Sequence, residues 1–203
     1  MGKIFYIIGK SAAGKDSLYE MLLQDPAIGL TKLTLYTTRP MREGETEGKE
    51  YHFVDEMKME RLKERTIECR TYDTIAGRWH YFTVDEEEYH DPSKIFLGIG
   101  TPESFRALRE YYGKDHVNPI YVECEDGLRL ERAIRREKKQ EHPNYAEICR
   151  RYLADEADFA PERLNEAGIT PKHRFQNEST PEALKTAVAA YILEASARKH
   201  VRS

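Results

Sequence analysis

The sequence predicts an α/β fold in which helices cover both faces of a parallel sheet. Three observations carry this. A nearly all-apolar run, "KIFYII" (Lys3 to Ile8), ends in a glycine-rich turn and then a helical pattern. Two more such runs, "KIFLGIG" (Lys94 to Gly100) and "NPIYVEC" (Asn118 to Cys124), are each followed by a helical pattern. Strands that are apolar almost throughout are buried on both faces, and strand alternating with helix implies parallel pairing through crossover helices.

Taken in order, "KDSLYEMLLQD" presents Leu18, Met21 and Leu22 as the apolar stripe of a first helix. The stretch from Leu33 to about Val84 differs. "KLTLYTT", "KEYHFV", "TIECRTY" and "WHYFTV" are short and rich in β-branched and aromatic residues, as strands of a small inserted sheet would be. "PESFRALREYYG" and "GLRLERAIRREKKQ" read as the crossover helices. A charged helical region runs from about Arg135 to Ala160, and "HRFQN" reads as a last core strand. "TPEALKTAVAAYILEASARKH" reads as a terminal helix with Thr180 as its N-cap.

Composition narrows the function classes. Of 203 residues, 33% are charged and 39% hydrophobic, and the net charge of -4 argues against a broad nucleic-acid surface. No apolar run approaches the roughly 20 residues that span a bilayer. The first apolar run is short and ends in glycine, unlike a secretory leader. Cys69, Cys124 and Cys149 are too few and too scattered for a disulfide framework or zinc site. The expectation is a cytoplasmic protein with small-molecule partners, neither a nucleic-acid polymer nor a membrane.

Two segments carry chemistry. Gly9 to Lys15 reads Gly, four residues, Gly, Lys, between a buried strand and a helix. Backbone N–H groups of such a loop ring phosphate oxygens, the helix N-terminus faces the same anion, and Lys15 reaches the transferred phosphate. The alternative is a glycine turn before an ordinary helix. The next residue, usually a metal-binding Ser or Thr, is Asp16, with Ser17 one place later. A carboxylate suits Mg2+, which prefers hard oxygen ligands, and is favoured in the first helical turn; otherwise Asp16 only starts the helix. The second segment, "LYTTRPMREGETEGKEYHFV", places Arg39, Arg42 and Tyr51 in one short stretch. Two guanidinium forks and a phenol can clamp a phosphate monoester, although two solvated loop arginines are the plainer reading.

With both segments in hand, the chain resembles the guanylate kinases, which combine such a loop with "TTR-P-R-x-G-E-x-x-G-x-x-Y-x-F"; here "TTRPMREGETEGKEYHF" has Met41 added after Pro40. The resemblance implies a three-layer parallel-sheet P-loop kinase. Its core would be about 1–32, 91–134 and 161–203, with a mostly β nucleoside-monophosphate insertion about 33–90 and a helical lid about 135–160. It also implies ATP as phosphoryl donor, Mg2+ as cofactor with Asp16 near the metal, and GMP as acceptor. The loop residues Gly9, Ser11, Ala12, Ala13, Gly14, Lys15, Asp16 and Ser17 would bind ATP, with Asn177 at the adenine pocket. Arg39, Arg42, Glu45 and Tyr51 would form the acceptor phosphate site, Glu68 would read the guanine edge, and Trp79 or Tyr81 would stack or donate a hydrogen bond. Arg136 (or its neighbour Arg135) and Arg151 would be the lid arginines acting with Lys15.

The chain also departs from the family. Leu35 stands where a guanine-contacting serine is usual, and Gly98 and Gly100 stand where the family carries Asp-x-Asp. "GKDS" resembles the loop of ribose 1,5-bisphosphate kinases, a branch that also lacks the Asp-x-Asp; Asp16 could then restore the carboxylate missing at Gly98. Two further functions therefore stay open: a kinase for another phosphorylated acceptor such as ribose 1,5-bisphosphate, and a silent phosphate-recognition module.

Overall fold

The computed structural model describes residues 1–74 and 77–197. Residues 75–76 and 198–203, which include the last three residues of the expected terminal helix, lie outside the described residues.

A five-stranded parallel sheet forms the centre. It comprises β1 (Lys3–Gly9), β2 (Leu30–Lys32), β7 (Ile95–Ile99), β8 (Val117–Glu123) and β9 (Arg174–Gln176), in the order β2-β7-β1-β8-β9. The alternation of β1 builds the three layers, because successive side chains leave opposite faces. Ile4, Tyr6 and Ile8 pack on one face with Phe105 and Leu108 of α3 (Pro102–Tyr112) and Leu164 of α6 (Pro161–Glu166). Phe5 and Ile7 pack on the other with Leu18 and Leu22 of α1 (Lys15–Leu23) and Leu184, Val188 and Ile192 of α7 (Pro181–Ala197). Both faces of β1 are thus fully buried, which is why its sequence lacks polar alternation. Thr180 caps α7, its Oγ1 accepting from the Ala183 N–H at 3.2 Å.

The inserted segment forms a second sheet from β3 (Tyr36–Thr37), β4 (His52–Phe53), β5 (Thr66–Thr74) and β6 (Gly77–Val84), in the order β4-β3-β6-β5. Its own small core is Tyr36, Val54, Phe82 and Val84, with Met59 and Leu62 packed against it from the α2 helix (Glu56–Leu62). The charged region contains α4 (Asp126–Glu137) and α5 (Tyr145–Asp158).

Three elements were not legible in the sequence: the edge strand β2 and the short helices α2 and α6. β2 has only three residues and no fully buried side chain, so no apolar period announces it. Among the described residues the three cysteines are free thiols, and no helix is long and apolar enough to cross a membrane.

The two core glycines where the family carries aspartates have a steric reason. Tyr6 of β1 lies fully buried across β7, in register with Gly98. A Cβ at Gly98 would lie 2.5 Å from the Tyr6 ring, and one at Gly100 would strike its hydroxyl and Ser104. The Tyr6 hydroxyl donates to Ser104 Oγ at 3.0 Å, and burial pushes its pKa up to about 12, so it stays a neutral donor. Tyr6 therefore occupies the space that side chains at 98 and 100 would need. Gly98→Ala should lower stability by about 1–3 kcal/mol through overpacking. Replacing Tyr6 by Leu in the same chain should make the Gly98 substitution less costly, a coupling that a double-mutant cycle in urea would reveal.

Candidate active site

The loop between β1 and α1 is held from three sides. Gly14 takes φ +92° at the N-cap of α1, a left-handed conformation that favours glycine, and a Cβ there would also strike Asn177. Ala12 also has a positive φ, +60°, which is uncommon for a residue with a Cβ. Buried Asn177 donates from Nδ2 to the Ala13 carbonyl at 2.7 Å, and its own N–H donates to the Glu123 carbonyl at 2.8 Å. Arg129 of α4, only 2% exposed, donates from Nη1 to the Ser11 carbonyl at 3.2 Å. The Ser11 N–H donates to the Asp155 carboxylate of α5 at 2.7 Å.

Arg129 is the hub joining this loop to the lid. Its guanidinium meets Asp126 at 2.6 Å, and Asp155 and Glu156 at 3.2 Å each. It also lies over the Tyr152 ring, 5.0 Å from the centroid. Lys10 of the loop pairs with Glu156 and, at 3.6 Å, with Asp126. Hydrogen bonds from Arg129 hold the Asp126 carboxyl below its usual range. This network was not legible in the sequence, because the loop residues Lys10 and Ser11 lie more than a hundred residues before Asp126, Arg129, Asp155 and Glu156.

A cleft of about 1160 Å³ opens between the loop, the second sheet and α5. Gly9, Ser11, Lys15 and Asp16 line it from the loop, Tyr51, Trp79 and Tyr81 from the inserted segment, and Arg151 from the lid. The Lys15 ammonium stands 3.8 Å from the Asp16 carboxylate. Sequence reading missed further groups lining the same cleft, among them Arg70, Tyr72, Asp73 and Arg150. Arg70 and Tyr72 follow Glu68 at strand spacing, so they share its face of β5, a signal that was available.

Several expected residues lie elsewhere. Arg39 is 3% exposed and makes a two-pronged pair with Glu45, Nη1 to Oε2 at 3.0 Å and Nη2 to Oε1 at 2.7 Å. The Tyr51 and Phe53 rings flank it at 5.7 and 5.5 Å. Hydrogen bonds from Arg39 and from the Arg42 N–H hold the Glu45 carboxyl below its usual range. The Arg42 side chain is exposed, and neither Arg39 nor Arg42 lines the cleft. Glu68 does not line it either: its carboxylate accepts from Thr83 Oγ1 at 2.7 Å and Arg70 Nε at 3.1 Å. Ser17 is exposed on α1. Asn177 anchors the back of the loop beside Arg132. Arg136 lines a second cavity, about 430 Å³ between α4 and α5, which Ser11 and Arg151 also border.

Asp16 is 78% exposed at the cleft mouth. Among the described residues no group of three or more carboxylate, His or Cys side chains converges to hold a metal. Mg2+ is commonly held by one or two carboxylates together with substrate phosphates, so a lone carboxylate beside a phosphate loop fits it.

The comparisons agree with this architecture. The family profile described as guanylate kinase matches residues 1–147, and the chain belongs to that family. It is 41% identical to a guanylate kinase of Chromobacterium violaceum over 66 residues, 32% of this chain and 30% of that protein. It is 39% identical to a guanylate kinase of Shewanella violacea over 134 residues, 63% of each. The match thus spans about a third to two-thirds of these relatives. The crystal structure of guanylate kinase from Anaplasma phagocytophilum aligns with TM-score 0.63 and 21% identity over 98% of this chain and 88% of that one, a likeness of fold.

Glu147 of α5 sets the posture of the lid arginines. It accepts from Arg150 Nε at 2.7 Å and from Arg151 Nε at 2.7 Å, and these bonds, Arg150's first, lower its pKa from 4.5 to about 2. A depressed carboxyl pKa contributes stability that is present above the unfolded value and lost as pH falls through the folded one. The stability gap between wild type and Glu147→Gln should therefore be full above about pH 4.5 and close as pH falls toward 2. Denaturant titrations across that range measure it; a gap unchanged with pH would show that the ion pairs do not form in solution.

Proposed function

We propose that the protein is an ATP-dependent nucleoside monophosphate kinase whose acceptor is GMP. One observation carries the reading: Lys15, Arg150 and Arg151 line the same cleft as Tyr51, Trp79 and Tyr81, so donor-side cations face an aromatic acceptor wall. A silent recognition module has no need of Lys15 and two lid arginines around one cleft.

In this reading the donor triphosphate lies along the loop, where the N–H groups before α1 and the helix N-terminus receive its oxygens. Lys15 neutralises charge on the transferring group. Arg150 and Arg151 approach from the lid and stabilise the charge that spreads onto its equatorial oxygens. Tyr51 serves the acceptor phosphate from the cleft wall, and Arg39 and Arg42, which lie outside the lining, must turn toward it to do the same, Arg39 sharing its fork with Glu45. An acceptor phosphate oxygen attacks the γ-phosphorus in line, and the bond to the β–γ bridging oxygen breaks with its electron pair leaving on ADP. No protein nucleophile is required, because positioning and charge neutralisation do the work. Asp16 would hold Mg2+, which when bound neutralises the β- and γ-phosphates.

Lys15→Ala should lower kcat for GMP by at least about a hundredfold with the fold intact, since it removes stabilisation of developing charge. A coupled assay of ADP formation with GMP, AMP, UMP and ribose 1,5-bisphosphate tests the assignment. GMP should be turned over best; turnover of the ribose bisphosphate alone would overturn it. In the same assay Asp16→Asn should lose activity at limiting magnesium and regain part of it at high magnesium. Asp16→Ser should keep more than Asp16→Ala, because a hydroxyl can serve as a ligand. Equal activity of all three with wild type at limiting magnesium would leave Asp16 as a helix-start residue only.

A further inference from the structure

We infer that Arg70 is the residue that determines which base the acceptor pocket takes, and that it does so by donating to the O6 and N7 edge of a 6-oxopurine. This rests on the nucleoside monophosphate reading above and narrows its substrate class.

Glu68 and Arg70 lie two apart on β5 and so project from the same face of the strand. The Glu68 carboxylate is only 7% exposed, with Thr83 on one oxygen and Arg70 on the other. Arg70, at 14% exposed, is the member of the pair that lines the cleft, and Glu68 is not. Arg70 spends Nε on Glu68, and among the described residues neither of its Nη groups has a protein acceptor. Glu68 thus fixes the plane of the guanidinium and leaves its two-pronged end directed to a ligand.

Charge and shape say what kind of ligand. The Arg70–Glu68 pair carries no net charge, and Asp73, which also lines the cleft, is itself paired with Arg78 at 2.7 Å. That combination disfavours a second phosphate dianion, which needs uncompensated cations. It suits a neutral edge that offers two adjacent hydrogen-bond acceptors. The walls beside Arg70 are Tyr72, Trp79 and Tyr81, with Tyr72 and Tyr81 ring centroids 5.6 Å apart, and such walls take a planar heteroaromatic ring. A guanidinium meeting O6 and N7 together is the geometry by which arginine selects guanine. Hypoxanthine presents the same edge. Leu35, which also lines the cleft, supplies no competing side-chain donor. Because Glu68 is covered, the purine 2-amino group finds no dedicated acceptor there, so guanine and hypoxanthine nucleotides should be accepted alike.

Calorimetric titration of the full chain with the 5′-monophosphates of guanosine, inosine and purine riboside tests this. The last keeps N7 but lacks O6. Wild type should bind the first two comparably and the third about 10- to 100-fold more weakly. Arg70→Met should bring all three to the same affinity. Arg70→Lys keeps a positive charge against Glu68, which protects the fold, yet loses the fork and should also lose most of the discrimination. A merely structural Arg70 would weaken all three ligands equally and leave their ratios intact, and that result would overturn the inference. So would wild type preferring the guanosine to the inosine nucleotide by more than about 100-fold, since only a site that hydrogen-bonds the 2-amino group discriminates so strongly. Absence of binding by any of the three would overturn it as well. The expected binding ratios without phosphoryl transfer would support Arg70 as the base reader while defeating the kinase reading.

Discussion

The turn between β1 and α1 is the constraint on which the rest of the molecule depends. It must place successive backbone N–H groups around one point and start a helix aimed at that point. Only a residue without a Cβ fits Gly14, both for its +92° φ and for the proximity of Asn177. The core holds the two ends of the turn: β1 is buried on both faces, and Leu18 and Leu22 seat α1 against the sheet. Asn177 and Arg129 then fix the loop from two different parts of the chain. The loop's shape is thus a tertiary product, although its sequence pattern is local.

The same anchoring gives the lid its position. Arg129 is almost fully buried beside three carboxylates, of which Asp155 is the most buried, and stripping it of these partners would leave a buried guanidinium without compensation. Through Asp155 and Glu156 it ties α5 to the loop, and α5 in turn carries Arg150 and Arg151 into the cleft under the hold of Glu147. Asp155 takes up the Ser11 N–H, one of the donors a phosphate would use. Electrostatics around the loop and α5 are therefore collective: Arg129 is shared among three carboxylates, Lys10 between two, and Glu147 between two arginines.

How much of this was legible follows from the range of each signal. The apolar runs of β1, β7 and β8 and the loop from Gly9 to Lys15 announce themselves in a few consecutive residues, so the fold class and the position of the glycine-rich loop could be read directly. The edge strand β2 and helix α6 have no such pattern; tertiary contacts make them. The glycines at 98 and 100 looked like lost site residues, but only the structure shows Tyr6 filling their space from a strand ninety residues earlier. Glu68 was legible as a residue, but its position says nothing of its pairing with Arg70, the member of the pair that lines the cleft. Arg39 likewise sits in its motif, but its pairing with Glu45 is a matter of local geometry. Acceptor chemistry was therefore the part least open to sequence reading, because it depends on which of two neighbouring side chains lines the cleft.

The central claim is that phosphoryl transfer in this cleft is direct, from a triphosphate held by the loop to an acceptor held by the inserted sheet. The stereochemistry at phosphorus tests it most directly. With ATP made chiral at the γ-phosphorus by oxygen isotopes and GMP as acceptor, a single in-line displacement inverts the configuration in the product GDP. Inversion, with no label retained on the protein, is the result this account predicts. Retention, or labelled protein that chases into GDP, would require a covalent intermediate and would contradict it.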